Sequence, residues 1–346
     1  MIETIYVEEE VRDHPRTAAI RDRLPNARII PIERYGEVFN RAAQDFRLQK
    51  RQPALILARK HSGHVLAAPR EYSIGHARNF YFSHMLNCIY DCRYCFLQGM
   101  FRSAHYVAFV NYEDIQAAVD ERLADSGGEG DSCFFSGYDC DSLALDAVTG
   151  FCDDFLPFFA ERPAAWLELR TKSTRIDALL AREAFPNCVV AFSFTPDEMH
   201  RALEHGVPSI DRRLRAMAAL QKRKWTLGLR FDPLILCEGW RERYRELFER
   251  VFATVDPEHV HSVSIGPFRL PRDYYRQLER LYPRERLFAT QIENRDGMVS
   301  YPADVEAEML AFCTRELEER VGSDVVFPCR LPTATQPEQE PATHRS

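Results

Sequence analysis

The chain is 346 residues long, 45% hydrophobic and 28% charged, with a formal net charge of −7. This is the composition of an ordinary globular protein, long enough for one large core and a smaller flanking unit. No run approaches the ~18 apolar residues of a membrane span, and the negative balance gives no overall attraction for nucleic acid, so any nucleic-acid surface must be a local basic patch.

The acidic N-terminus has no apolar signal core, so a cytoplasmic location is expected. Residues 4–7 read as a strand, 12–24 as a helix and 27–32 as a second strand, an alternation that predicts parallel pairing. A short strand at 54–58 follows. From about residue 79 a longer βα series is predicted. A strand at 80–82 leads into three clustered cysteines, then come a helix at 112–123, a turn at 126–130 and a strand at 132–136. The series continues as helix 145–159, strand 166–170, helix 175–184, strand 188–194, helix 210–222, strand 226–231, helix 240–255 and a sixth strand at 261–265. Six βα units are fewer than the eight of a closed barrel. The expected fold class is therefore α/β: a partial, open (β/α)6 TIM-like barrel over 79–330, preceded by a small N-terminal βαβ unit over 1–78. Its reactive groups belong at the C-terminal strand ends. Residues 331–346 are Pro-rich and polar and are expected to form a disordered tail.

Ten cysteines is a high number for a chain in a reducing compartment, where structural disulfides are rare. Most are dispersed in apolar company, as small buried hydrophobes are. Cys88, Cys92 and Cys95 instead cluster as Cys-x3-Cys-x2-Cys. Thiolates are the ligands of iron–sulfur clusters, and a cubane ordinarily uses four. Three close thiolates would hold three irons and leave the fourth open to chelate the amino and carboxylate groups of a methionine moiety. One-electron transfer into the adjacent sulfonium would then break a carbon–sulfur bond and yield a 5′-deoxyadenosyl radical. Two other readings fit the spacing. Positions i, i+4 and i+7 can form one buried stripe of a helix, although Asn87 and Asp91 suit a loop better. The second is a zinc site with His84 or His105 as fourth ligand.

Cys-x3-Cys-x2-Cys with an aromatic residue, Tyr94, before the third cysteine is the signature of the radical SAM superfamily, and the surrounding sequence resembles the spore photoproduct lyase family. Residues 92–98, Cys-Arg-Tyr-Cys-Phe-Leu-Gln, resemble that family's Cys-His-Tyr-Cys-Tyr-Leu-Gln run. The likeness continues through Tyr106-Val107, Asn111, the Leu-Glu-Leu-Arg-Thr-Lys segment ending at Lys172, Phe192-Ser193, and 238–249, and covers about residues 4–300. It implies a [4Fe-4S] cluster on Cys88, Cys92 and Cys95, S-adenosyl-L-methionine, and an electron donor such as flavodoxin or ferredoxin. It also implies a lyase that repairs a methylene-bridged thymine dimer in ultraviolet-damaged DNA. The family returns hydrogen through a cysteine and two tyrosines. Tyr94 retains one tyrosine, whereas Phe96 replaces the other and has no O–H hydrogen to pass on. A gap-free register puts Tyr138 in place of the relay cysteine, with Cys140 two residues further on, so both are candidates. These departures leave room for another substrate, an RNA base, a peptide or a small molecule, and a non-catalytic metal-binding protein is the remaining alternative.

By the same resemblance, Ser136 and Gly137 after the second barrel strand, Lys172 after the third and Ser193 at the end of the fourth are candidates to bind S-adenosylmethionine. Arg170, Lys172, Arg175, Arg212, Arg213, Arg215, Lys222, Arg223, Lys224, Arg230, Arg269 and Arg272 are candidates for phosphate contacts. A base within a duplex would have to be flipped out. Tyr274, Tyr275 and Tyr301 are candidates to line its pocket.

Overall fold

The computed structural model describes residues 2–69, 72–125 and 131–329; the turn expected at 126–130 and the tail expected at 331–346 lie outside them. The apolar runs of the middle segment are buried on both faces, as a parallel sheet covered by helices requires. All six residues of Cys188–Ser193 are buried. These runs form an open eight-stranded sheet in the order Leu66–Ala67, Arg78–Tyr81, Ser132–Phe135, Ala165–Thr171, Cys188–Ser193, Thr226–Leu234, Val260–Pro267, Val326–Pro328. Every neighbouring pair is parallel except the first. The six central strands are the six expected, and the two outermost strands do not pair with each other, so the half-barrel stays open.

Amphipathic helices cover its outer face. Ile210–Lys222 buries Ile210, Leu214, Met217 and Leu220 along one stripe, and the Ser209 hydroxyl accepts the Arg212 N–H at its start. Trp240–Phe252 does the same with Trp240, Tyr244, Leu247 and Val251. The helix expected over 145–159 is broken into Asp146–Thr149 and Phe151–Ala160. Gly150 between them takes φ 69°, a left-handed conformation that ends one helix and starts the next. Helices Asp197–Leu203, Arg272–Leu281 and Ala303–Val321, and a small antiparallel sheet at 269–300, were not expected from periodicity.

Period-two alternation splits the third barrel strand into two faces. Leu167 and Leu169 join the core under the helices, while Glu168 crosses the lumen to Arg230 at 2.8 Å. The lumen is therefore charged rather than apolar. Arg230 also donates to the Ser262 carbonyl and hydroxyl, and Arg170 Nε donates to Glu168 at 2.9 Å. Burial opposes the Glu168 charge, but Arg230 and Arg170 outweigh it and hold its carboxyl down to about 2.

A second, five-stranded sheet has the order Arg28–Ile32, Thr4–Glu8, Leu55–Ala58, Tyr106–Phe109, Met85–Leu86. It recruits strands from beyond residue 78, while Leu66–Ala67 crosses to the barrel sheet. Backbone pairing thus interlocks the two units that the sequence divides at 78. The cysteine segment emerges from Met85–Leu86 at the junction of the two sheets.

Candidate functional site

Residues 87–96 form a tethered loop rather than a helical stripe. Asn87 takes φ 67°, and its side-chain amide donates to the Ser103 and His105 carbonyls at 2.7 and 2.8 Å. Cys92 lies opposite Glu204 in a short antiparallel bridge, and Arg93 N–H donates to the Leu203 carbonyl at 2.8 Å. Gln98 Nε2 donates to the Cys92 carbonyl at 2.8 Å, while its oxygen accepts the Tyr282 hydroxyl at 2.6 Å. These contacts tie the loop to both of its flanks.

The zinc alternative loses its histidines. His84 is buried against Phe151, with ring centroids 3.9 Å apart, and stands beside Cys140. The His105 ring accepts the Ala54 N–H at 3.0 Å. Among the described residues, no three His, Cys, Asp or Glu side chains are gathered to hold a single ion. A cubane needs no such convergence, because each thiolate binds its own iron.

Two lysines flank the loop. Lys50 Nζ donates to the Cys88 and Tyr90 carbonyls at 3.4 and 3.3 Å. Lys172 Nζ lies 5.4 Å from the Tyr94 ring centre and 3.9 Å from a Glu204 oxygen. Burial pushes the Cys88 thiol up to about 12 and raises Cys92 and Cys95 as well. Such thiols keep their protons until a metal displaces them. The donor set therefore fits an iron–sulfur cluster: three thiols on one rigid loop, a Tyr90 N–H aimed at Cys88 Sγ at 3.4 Å, and cations on two sides to offset the charge.

Glu204 organises the barrel side of the loop, and the sequence reading missed it. Its carboxylate accepts the Tyr94 hydroxyl, Arg213 at 3.0 Å and Thr195 at 3.2 Å, and contacts His200 Nδ1 at 2.8 Å. Burial opposes its charge, yet Arg213, Lys172 and the hydrogen bonds hold it far below the usual carboxylate range. The only local sign of this network is the four-residue spacing of His200 and Glu204.

Ser136 is fully buried, with its hydroxyl on the Glu168 carbonyl at 2.8 Å and beside Ser142 at 2.9 Å. The close approach that Gly137 permits is that of the neighbouring strand. A Cβ there would lie 2.8 Å from Arg170 Cβ and 2.9 Å from the Arg170 carbonyl. Gly137→Ala is accordingly expected to cost about 1–3 kcal/mol through overpacking, measured by denaturant unfolding. The Ser193 carbonyl accepts Arg213 at 2.6 Å, and its hydroxyl has no partner among the described residues.

Tyr138 stacks on Tyr81 with centroids 4.3 Å apart and meets Tyr72 at 5.9 Å and Phe96 at 5.7 Å. The two departures from the family pattern, Phe96 and Tyr138, thus share one aromatic wall. The Tyr138 ring is half-buried, and its hydroxyl has no hydrogen-bond partner among the described residues. Cys140 turns away from this wall: its thiol lies 3.8 Å from His84 and 3.7 Å from the Ser136 carbonyl, in the core under the N-terminal sheet, with Cys88 and Ile89 of the cysteine loop as neighbours.

Several basic candidates serve the fold instead of a phosphate. Arg213 and Arg230 are fully buried, Arg269 grips both Asp232 oxygens at 2.9 and 3.1 Å, and Arg223 donates to the Leu180 carbonyl. Charges on strands and helix inner faces need internal partners, and these have them. Arg175, Arg212, Arg215, Lys222, Lys224 and Arg272 remain exposed. Tyr301 is buried and accepts the Leu236 N–H, Tyr275 is buried on Phe288, and the Tyr274 backbone packs over Gly99. The wall near Phe96 is built by Tyr72, Tyr81 and Tyr138.

An open parallel half-barrel with a Cys-x3-Cys-x2-Cys loop after its first strand defines a protein of the radical SAM superfamily. Within it, the chain belongs to the spore photoproduct lyase family, whose model matches residues 76–301. Spore photoproduct lyase of Bacillus subtilis is 27% identical over 203 residues, and that of a Geobacillus species 25% over 209. Each alignment covers 58% of this chain and 59% of the relative, less than two thirds of either. Among solved structures, a spore photoproduct lyase variant with bound AdoMet and dinucleoside spore photoproduct superposes with a TM-score of 0.83 at 19% identity, over 96% of this chain and 99% of that one. The enzyme complexed with dinucleoside spore photoproduct gives 0.80 at 19%, over 95% and 98%. At such identity the likeness is one of fold. No helix among the described residues is long and apolar enough to cross a membrane.

Proposed function

We propose that the chain is a radical S-adenosylmethionine lyase acting on a thymine photolesion in DNA. The observation that carries this reading is the rigid loop of Cys88, Cys92 and Cys95, pinned to the barrel at Glu204 beside Lys172. When bound, a [4Fe-4S] cluster supplies the electron that cleaves S-adenosylmethionine to a 5′-deoxyadenosyl radical, the hydrogen abstractor. Lys172 and the free Ser193 hydroxyl hold the methionine carboxylate and the ribose. Ser136 and Gly137, committed to neighbouring strands, shape the strand end. Phosphates meet Arg175, Arg212, Arg215 and Arg272, all exposed, with a salt-dependent affinity. A flavodoxin or ferredoxin supplies the electron, and the reducing cytoplasm is the compartment that suits ten free cysteines.

Hydrogen return falls to Tyr138. The Tyr94 hydroxyl is committed to Glu204, Phe96 has no hydroxyl, and Cys140 is packed in the other core. Tyr138 transfers one hydrogen atom from its O–H to the substrate radical left after fragmentation; the C–H bond forms and a tyrosyl radical remains. Tyr138→Phe keeps the ring stack but removes that hydrogen. It is expected to leave 5′-deoxyadenosine formation intact while thymine yield falls at least about tenfold, an added barrier of roughly 1.4 kcal/mol or more. Unchanged thymine yield would remove Tyr138 from the pathway.

The whole reading is tested by anaerobic incubation with reductant, S-adenosylmethionine and spore-type ultraviolet-treated DNA, followed by product analysis. Restored thymine together with 5′-deoxyadenosine is the expected result. 5′-Deoxyadenosine without thymine would retain the radical chemistry and move the substrate to another class.

A further inference from the structure

We infer that the groove between helix Phe46–Gln49 and helix Arg272–Leu281 is the docking surface for a small acidic one-electron carrier protein that reduces the cluster. The inference rests on the radical reading above and locates a surface which that reading leaves open. The groove is open to solvent, has a volume of about 540 Å³, and is lined by Asp45, Phe46, Arg47, Arg102, Gln277, Arg280 and Leu281 among others. Arg47, Arg102 and Arg280 are all exposed. None of them forms an ion pair among the described residues, in a chain where many arginines are paired. Three guanidiniums against the single carboxylate of Asp45, on a protein of net charge −7, make a local attractor for an acidic surface.

The groove also has an apolar component. Leu48, next to Arg47, is the most exposed large hydrophobic side chain among the described residues, at 62%. Phe46 and Leu281 line the groove itself. An exposed apolar side chain beside basic ones, with Phe46 itself buried beneath them, is the make-up of a protein–protein contact. Phosphate backbones offer nothing to a leucine, which favours a protein partner over a duplex.

Both walls lead to the cysteine loop. On one side, Phe46 lies 5.9 Å from Lys50 Nζ, which bonds the Cys88 and Tyr90 carbonyls. On the other, Gln277 Nε2 donates to the Phe101 carbonyl, directly after the helix Leu97–Met100 that follows Cys95. Arg47 ties the walls together through the Leu281 carbonyl at 3.1 Å. The substrate side of the loop, at Lys172 and Tyr138, belongs to the barrel lumen. Donor and substrate can therefore occupy the protein together. One electron leaves the carrier, which is oxidised by one unit, and enters the cluster; no proton or atom moves.

The test is charge reversal in the cluster-loaded enzyme: the triple variant Arg47→Glu, Arg102→Glu, Arg280→Glu, with Leu48→Ser as an independent second variant. Reduced flavodoxin is the probe, with cluster bleaching followed by stopped flow and flavodoxin binding by calorimetry. Flavodoxin-driven reduction of the triple variant is expected to slow about 10- to 100-fold at low salt, with weakened binding, because steering is lost. Dithionite reduction and affinity for damaged DNA stay at the wild-type level. Wild-type rates with flavodoxin would overturn the inference. A loss of DNA affinity with unchanged flavodoxin kinetics would overturn it as well and assign the groove to nucleic acid. If dithionite-reduced wild-type protein makes no 5′-deoxyadenosine, the radical reading has failed instead, and that outcome is separate from both.

Discussion

Cys92→Ala is expected to abolish the visible charge-transfer absorption of the reconstituted protein and to reduce 5′-deoxyadenosine formation to background. Three thiolates are the fewest that can hold three irons of a cubane, and no fourth donor stands ready on the loop to replace one. His84 and His105 are committed elsewhere, and Cys140 is packed under the N-terminal sheet. The fold itself is expected to survive. Cys92 is a small buried side chain, and its loop is held by main-chain contacts at Glu204 and Leu203 and by Gln98. Truncation costs the fold about 1 kcal/mol, an ordinary value for one substitution. Metal content and absorption spectra, read beside far-ultraviolet circular dichroism, check this. A folded variant that keeps the absorption would show that Cys92 is no ligand.

Glu204→Leu is expected to destabilise the apo protein by about 3–5 kcal/mol in denaturant unfolding, because breaking a buried pair strands its partner. Glu204 and Arg213 side chains are both 0% exposed, and Arg213 would keep only neutral partners, the Ser193 carbonyl and the His200 ring nitrogen. The double variant Glu204→Leu, Arg213→Met is expected to recover most of that loss, since the fully buried guanidinium is removed with its partner and only Lys172, 15% exposed, loses a carboxylate neighbour. A loss no smaller in the double variant would show that packing, not charge, sets the cost. Acid supplies a second view. The folded-state pKa of Glu204 is depressed, as is that of Glu168, which is held down to about 2. Both therefore stabilise the fold fully above the unfolded carboxylate pKa of about 4.3, and that stability is lost as pH falls from there toward 2 and below.

What could be read from the sequence is what is local. The three cysteines lie within eight positions, so their spacing alone identified the loop. Strands such as Cys188–Ser193 announce themselves as unbroken apolar runs, because both faces are buried. Gly150 could have been read as a helix break, since glycine is the default residue for a left-handed turn. The contacts that set the chemistry are not local. Tyr94 and Glu204 are 110 positions apart, and Glu168 and Arg230 are 62 apart. No periodicity carries that information. The same limit misplaced the basic residues: Arg213 and Arg230 look like surface charge in one dimension, yet they are interior bolts of the barrel. The edge strand Val326–Pro328 has three residues and no pattern long enough to detect.

Cys88, Cys92 and Cys95 would hold three irons of the cluster and leave the fourth for the methionine end of S-adenosylmethionine. The measurement closest to this arrangement is electron–nuclear double resonance on the reduced, anaerobically reconstituted protein, using S-adenosylmethionine isotopically labelled at its amino nitrogen. Coupling between the labelled nitrogen and the cluster spin is predicted. Absence of coupling in a spectroscopically intact cluster, or stoichiometric zinc in place of iron, would contradict the account.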